Sequence, residues 1–159
     1  METILSEQVR IRAIKRHELP ALLDLYRHLR EADAPLPADD VLWKVWDEIL
    51  QDPRMQVLVA ELNGSLVASC TLAIIPNLTR GACPYGLIEN VVTHVAHRRK
   101  GIGTCLLRHA LQIAWERNCY KVMLLTGSKS KGTLQFYEQA GFRKGVKTGF
   151  IAMPNKHEA

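Results

Sequence analysis

Arg98-Arg99-Lys100-Gly101-Ile102-Gly103 sets three cations beside two glycines within six consecutive residues. The chemistry such a stretch suits is anion binding. The run before it, Val91-Val92-Thr93, is β-branched and reads as the end of a strand. After it, Ile102, Leu106, Leu107, Ala110, Leu111 and Ala114 recur at helical spacing. A strand that feeds a helix through a glycine loop brings several backbone N–H groups to one point. The positive end of the helix dipole lies at that same point. This is the layout of a pyrophosphate site, with Arg98, Arg99 and Lys100 around it. His94 and His97 flank the loop and have two readings, as a phosphate contact or proton relay and as ordinary surface histidines. A second glycine stretch, Gly127-Ser128-Lys129-Ser130-Lys131-Gly132-Thr133, lacks the Lys before the final Ser/Thr that a nucleotide-hydrolysing P-loop needs.

The elements that must position these residues follow from pattern. Val9 to Ile14 alternates as an edge strand, and His17 to Arg30 carries leucines at helical spacing with Pro20 in the first turn. Asp39 or Asp40 reads as the N-cap of a second helix that Pro53 closes. Met55 to Leu62 and Ser65 to Ile75 form two strands joined by the hairpin signal Asn63-Gly64. Residues 76–86 read as a loop and Leu87 to Thr93 as the fourth strand. The long helix then runs to about Arg117. Lys121 to Leu125 is a fifth strand, Ser130 to Ala140 a helix, and Gly141 its C-cap. Phe142 to Met153 fits one or two final strands.

Composition narrows the class. A chain of 159 residues, 47% hydrophobic, suits one globular domain over 1–159 with a real core. The net charge of +5 has two readings, an ordinary basic surface and a field that gathers a polyanionic ligand. With 6% aromatic residues and no long basic run, nucleic acid is not the expected partner. No apolar run reaches membrane-spanning length, and the N-terminus shows no secretory signal, so the expected place is the cytoplasm. Cys70, Cys83, Cys105 and Cys119 show no CxxC spacing, and three of them sit in apolar patterns. They read as buried free thiols, with no metal expected.

Two separated motifs carry a family resemblance. Arg98-x-x-Gly101-x-Gly103 directly follows a strand, and Gln135-Phe136-Tyr137-Glu138-Gln139-Ala140-Gly141-Phe142 follows at a distance. With the element order above, the chain resembles the GNAT superfamily of acetyl-CoA-dependent N-acetyltransferases over nearly its whole length. The resemblance implies an α/β (α+β) fold with a mixed, mostly antiparallel sheet of six to seven strands. About four helices would flank it, and the fourth and fifth strands would splay to admit coenzyme A.

The resemblance also implies roles. Main chain from Arg98, Arg99, Lys100, Gly101, Ile102, Gly103 and Thr104 would bind the pyrophosphate, and Val91, Val92 and Thr93 would run beside the pantetheine arm. A backbone N–H near Val92 or Thr93 would polarise the thioester carbonyl. Tyr137 would protonate the departing thiolate. Ser130 and Thr133 fall where relatives place an Asn and a small residue near the cofactor, and that Asn is missing here. Glu89 holds the position of a general base, and an amine must lose a proton before it attacks. Strand alternation puts Glu89, Val91 and Thr93 on one face. Glu31, Asp33, Asp39 and Asp40 border the implied acceptor side.

The expected function is therefore acetyl transfer to a primary amine of a small molecule by direct attack in a ternary complex. The expected assembly is a homodimer. The alternatives are a non-catalytic acyl-CoA sensor and an acetyltransferase for a peptide or protein amine. The stretches IENVV, CYKVMLL and FYEQAGF are also weakly similar to glucosamine-phosphate N-acetyltransferases, with Arg80, Arg143 or Lys147 as candidate phosphate partners.

Overall fold

The computed structural model describes residues 9–154. The N-terminal stretch on which the absence of a leader was read lies largely outside the described residues. Its elements are β1 (Val9–Ala13), α1 (Leu19–Tyr26), α2 (Asp39–Gln51), β2 (Met55–Leu62), β3 (Ser65–Ile75), β4 (Tyr85–Thr93), α3 (Ile102–Glu116), β5 (Val122–Leu124) and α4 (Lys131–Gln139). Short 3-10 turns at Arg16–Glu18 and Val95–His97 precede α1 and the glycine loop.

The five strands form one sheet in the order β1-β2-β3-β4-β5. The first four are antiparallel neighbours, and β5 lies parallel to β4 because α3 crosses over between them. Leu62 faces Ser65 across a two-residue hairpin in which Asn63 and Gly64 are both left-handed, with φ of 50° and 81°. That conformation is what Asn-Gly supplies readily.

Period-2 alternation in β2 divides the core into two. Leu58 and Ala60 face α3, where Leu106, Leu107, Ala110 and Ala114 are fully buried. Val57 and Val59 face the opposite layer, built by Leu19 and Leu22 of α1 and Trp46 of α2. Each fully buried leucine contributes about 1.5–3 kcal/mol relative to exposure. Arg12 locks the start of α1 to the sheet. Its guanidinium donates to both oxygens of Glu18 at 2.9 and 2.7 Å, and its Nε donates to Glu61 at 2.8 Å. Trp46 Nε1 donates to the Arg16 carbonyl at 2.9 Å, which ties α2 to the same turn.

Several sequence expectations differ from the structure. The first helix is shorter than His17 to Arg30, because its opening turn is 3-10 and its close unwinds into turns after Tyr26. Asp39 and Asp40 lie inside the first turn of α2, with Ala38 at the N-cap. Their charge still sits at the positive end of that dipole. Residues 142–153 form no strand, so the sheet has five strands rather than six or seven. β5 has only three residues to pair against. Gly145 is left-handed with φ of 75°, and Gly149 and the interspersed lysines break the apolar alternation. Val146, Phe150, Ile151 and Met153 are accordingly exposed. Cys70 and Cys119 are buried as expected of thiols in apolar runs, but Cys105 faces solvent from α3. Among the described residues no helix is long and apolar enough to cross a membrane, and no group of His, Cys, Asp or Glu is placed to hold a metal ion.

Candidate active site

The centre of the sheet is interrupted at Asn90. Ser69 pairs with Val92 and Thr71 with Glu89, so Asn90 and Val91 together oppose the single residue Cys70. This is a two-against-one bulge, and Asn90 takes the left-handed conformation that closes it, with φ of 53°. The bulge resets the alternation. Ile88 and Val91 both pack with the α3-side core, and Thr93 Oγ1 approaches Gly103 at the start of α3. Glu89 therefore does not share a face with Val91 and Thr93, contrary to simple strand alternation. Glu89 and Asn90 are exposed although buried residues flank them on the same strand, so the layer over the sheet is open there.

β4 is also open along one edge. It pairs with β5 only from Gly86 to Ile88. Beyond Ile88 that edge meets no strand, leaving main-chain N–H and C=O groups for an extended ligand that carries its own amides. The fourth and fifth strands were expected to splay, and they share only these three residue pairs.

The edge leads into the glycine loop. Arg99 and Gly101 are left-handed, with φ of 61° and 79°, and such alternation curls successive N–H groups into an anion-binding nest. Gly101 is the N-cap of α3 and gives no side-chain cap. The first intrahelical bond runs from Cys105 N to Gly101 O, so the N–H groups of Ile102, Gly103 and Thr104 have no helical acceptor. A Cβ on Gly103 would come 2.9 Å from the Phe136 ring and 3.2 Å from Thr93 Oγ1. Glycine there lets α3, α4 and β4 meet.

Of the three cations, Arg98 folds back onto the main chain at the surface. Its Nε donates to the Thr93 carbonyl at 3.0 Å and its Nη2 to the His28 carbonyl at 2.9 Å. The guanidinium ties the loop to the chain just after α1. Arg99 and Lys100 form no ion pair among the described residues. His94 and His97 make the wall behind the loop. His94 Nδ1 accepts from Ala96 N at 3.1 Å and its ring lies 4.0 Å from that of His28, while His97 sits 5.5 Å from His94. Burial, with the neighbouring cations and His94, lowers the His28 and His97 pKa values.

α4 brings Tyr137 to the same cleft. Its ring packs between Phe136 at 4.9 Å and Phe142 at 6.3 Å. Burial first, then Cys70 and the charge of Glu89, pushes the phenol up, so it stays a proton donor. Ser130 caps α4 by accepting from Thr133 N at 3.2 Å, and the two hydroxyls lie 2.9 Å apart. Their first duty is thus to start the helix that carries Tyr137. Cys70, beneath the bulge, is held protonated by burial, its thiol pushed up to about 12.

Three residues at the site were given no role by the sequence: Tyr26, Thr71 and Asn90. Burial raises the Tyr26 phenol, opposed by the polar side chains of Thr71 and Asn90 beside it. The one trace in the sequence is an Asn beside Glu89 in the middle of a strand, a residue type that tolerates left-handed backbone.

Residues 19–142 match the model of the Acetyltransferase (GNAT) family. The chain is 33% identical over 138 residues to a glucosamine 6-phosphate N-acetyltransferase of Trypanosoma brucei brucei, covering 84% of this chain and 88% of that one. A solved putative acetyltransferase from Agrobacterium tumefaciens str. C58 superposes with a TM-score of 0.85 at 44% identity, over 91% of this chain and 99% of that one. Glucosamine-6-phosphate N-acetyltransferase from Arabidopsis thaliana shares the fold at a TM-score of 0.79 and 21% identity, over 92% of this chain and 98% of that one. With its bulged fourth strand, open edge and glycine-started helix, this chain belongs to the GNAT family of N-acetyltransferases.

Proposed function

We propose that the chain is an acetyl-CoA-dependent N-acetyltransferase, a single domain over 1–159, that acts on a primary amine of a small molecule. The observation that carries this reading is the continuous main-chain path from the bulge at Asn90 along the open edge of β4 to Gly101. Such a path suits a ligand with amides at one end and a pyrophosphate at the other. When bound, acetyl-CoA supplies an acyl group activated as a thioester.

The chain's own groups divide the remaining work. N–H groups of Arg99, Lys100, Gly101, Ile102, Gly103 and Thr104 take the pyrophosphate, with the Arg99 and Lys100 side chains free to add charge. Arg98 holds this loop in place. Main chain of Val91, Val92 and Thr93 aligns the pantetheine arm, and an N–H near Val92 stabilises developing negative charge. Glu89 takes a proton from the acceptor ammonium, directly or through water. Tyr137, kept protonated by burial, returns a proton to the leaving sulfur. A thiol held as far up as Cys70 is no nucleophile at neutral pH, which favours direct attack over an acyl-enzyme. Ser130 and Thr133 set the angle of α4.

The protein works in the cytoplasm as a homodimer on this reading, and exposed Val146, Phe150, Ile151 and Met153 support a second copy. Sedimentation at micromolar protein tests that part.

Calorimetry with acetyl-CoA, then thiol release over a panel of amines, tests the activity. Saturable binding and amine-dependent thiol release are the expected results. Binding without turnover of any amine would make the chain a sensor. No binding would remove both.

A further inference from the structure

The transferase reading leaves the acceptor open, and a cavity beside the bulge narrows it. Between α1, α2 and the sheet lies a space of about 220 Å³. Its walls are Leu22, Trp46, Ile49 and Val57. Its polar end is formed by Tyr26, Thr71 and Asn90, the last being the bulged residue next to Glu89. No lining residue is charged. Val45 lines the space and is still 45% exposed, so it reaches the surface on the α2 side.

Charge decides what can enter. A phosphate in this space would lose water and meet no cation, which is strongly unfavourable. The candidate phosphate partners lie elsewhere. Arg80 is stacked 5.9 Å from the Tyr120 ring, and neither Arg143 nor Lys147 lines the space. Asp39 and Asp40 on the first turn of α2 favour an approaching cation instead.

Size decides the rest. The space is about 220 Å³. An apolar cavity of about 150 Å³ takes up benzene. The space opens to solvent on its α2 side, and its polar end stops at Asn90, the sequence neighbour of the group proposed to deprotonate the acceptor.

We infer that this cavity is the specificity site for the acceptor, and that it selects primary amines with an aryl or branched-alkyl body over phosphorylated amino sugars. The inference rests on the transferase reading for its chemistry and on the cavity for its selectivity. The amine end lies at Thr71 and Asn90, within the strand neighbourhood of Glu89, while the body fills the space beneath Trp46.

The test compares kcat/KM for 2-phenylethylamine and 3-methylbutylamine with that for glucosamine 6-phosphate and putrescine, at saturating acetyl-CoA. The apolar amines are expected to lead by at least about tenfold. Equal or better turnover of the sugar phosphate or the diamine overturns the inference and leaves the transferase reading standing. Val45→Glu, on an exposed turn of α2, is expected to raise KM for 2-phenylethylamine at least about fivefold with KM for acetyl-CoA unchanged. An unchanged amine KM overturns the assignment. Calorimetry of 2-phenylethylamine separates the two readings. Saturable binding that Val45→Glu weakens, without turnover of any amine, keeps the cavity and removes the transferase reading. Absence of both binding and turnover removes the cavity assignment as well.

Discussion

On one side of the cleft, the segment from Thr93 to Gly103 offers backbone N–H groups, left-handed residues and an uncapped helix start. On the other side, α1 and α2 offer leucine, tryptophan and isoleucine side chains around a small polar end. On the proposed reading the first region would recognise through main chain, with Arg98 as a side-chain brace. On the same proposed reading the second would recognise through side-chain volume and polarity. The two therefore fail in different ways. A substitution on the loop side is expected to disturb a geometry common to every acceptor, and one on the α2 side to change which amine fits.

The strongest way to break this contrast is Gly103→Val. Any Cβ there meets Phe136 at 2.9 Å, and overpacking of this kind destabilises by about 1–3 kcal/mol. Affinity for acetyl-CoA is expected to fall by at least about 100-fold by calorimetry, whatever the acceptor. An intact affinity would mean that α4 can shift freely, and the loop would lose its claim to a fixed geometry.

Tyr137→Phe comes next. Loss of a general acid lowers kcat by about 100-fold or more while KM for acetyl-CoA holds, because the interaction is made mainly in the transition state. Steady-state kinetics with wild-type activity would assign Tyr137 to packing against Phe136 and Phe142.

Glu89→Gln is expected to lower kcat/KM about tenfold at neutral pH and to remove the acidic limb of the pH–rate profile. A limb that persists would place the base elsewhere and loosen the link between the bulge and the chemistry.

The smallest effect concerns the support beneath the acceptor wall. Arg12 holds the Glu18 carboxyl down to about 2, from an ordinary 4.5. A depressed carboxylate stabilises the fold fully above its unfolded value and loses that contribution as pH falls through the folded one. Glu18→Gln should therefore lower Tm by a few degrees at pH 7, with the difference closing as pH is taken from 4.5 toward 2. A constant difference across that window would show that the carboxylate charge is not what anchors α1.

The loop side was also the legible side of the sequence. Glycines at 101 and 103 have a backbone reason to be there, and a strand before and an amphipathic helix after confirm the setting. The α4 segment was readable for the same cause, with Ser130 starting the helix as its cap. What sequence pattern did not reach is the consequence of pairing. The bulge at Asn90 exists because β4 carries one residue more than β3 across Cys70, and a count made along one strand cannot register that. Placing Glu89 with Val91 and Thr93 failed for this reason. The expected strands after Phe142 depended on a partner edge, and β5 offers three residues. The fold-back of Arg98 depended on two carbonyls, one only five positions away and the other 70. The acceptor cavity left least trace, since its walls are ordinary core residues until the space between them is measured.

Arg98 grips the main chain at residues 28 and 93, not their side chains. Descendants of this sequence can thus rewrite either position, and much of the neighbouring helix surface, without undoing the fastening. Side chains on the α1 side can change over generations while the glycine loop stays fastened. A fastening that reads no side chain leaves one wall open to novelty without loosening the other.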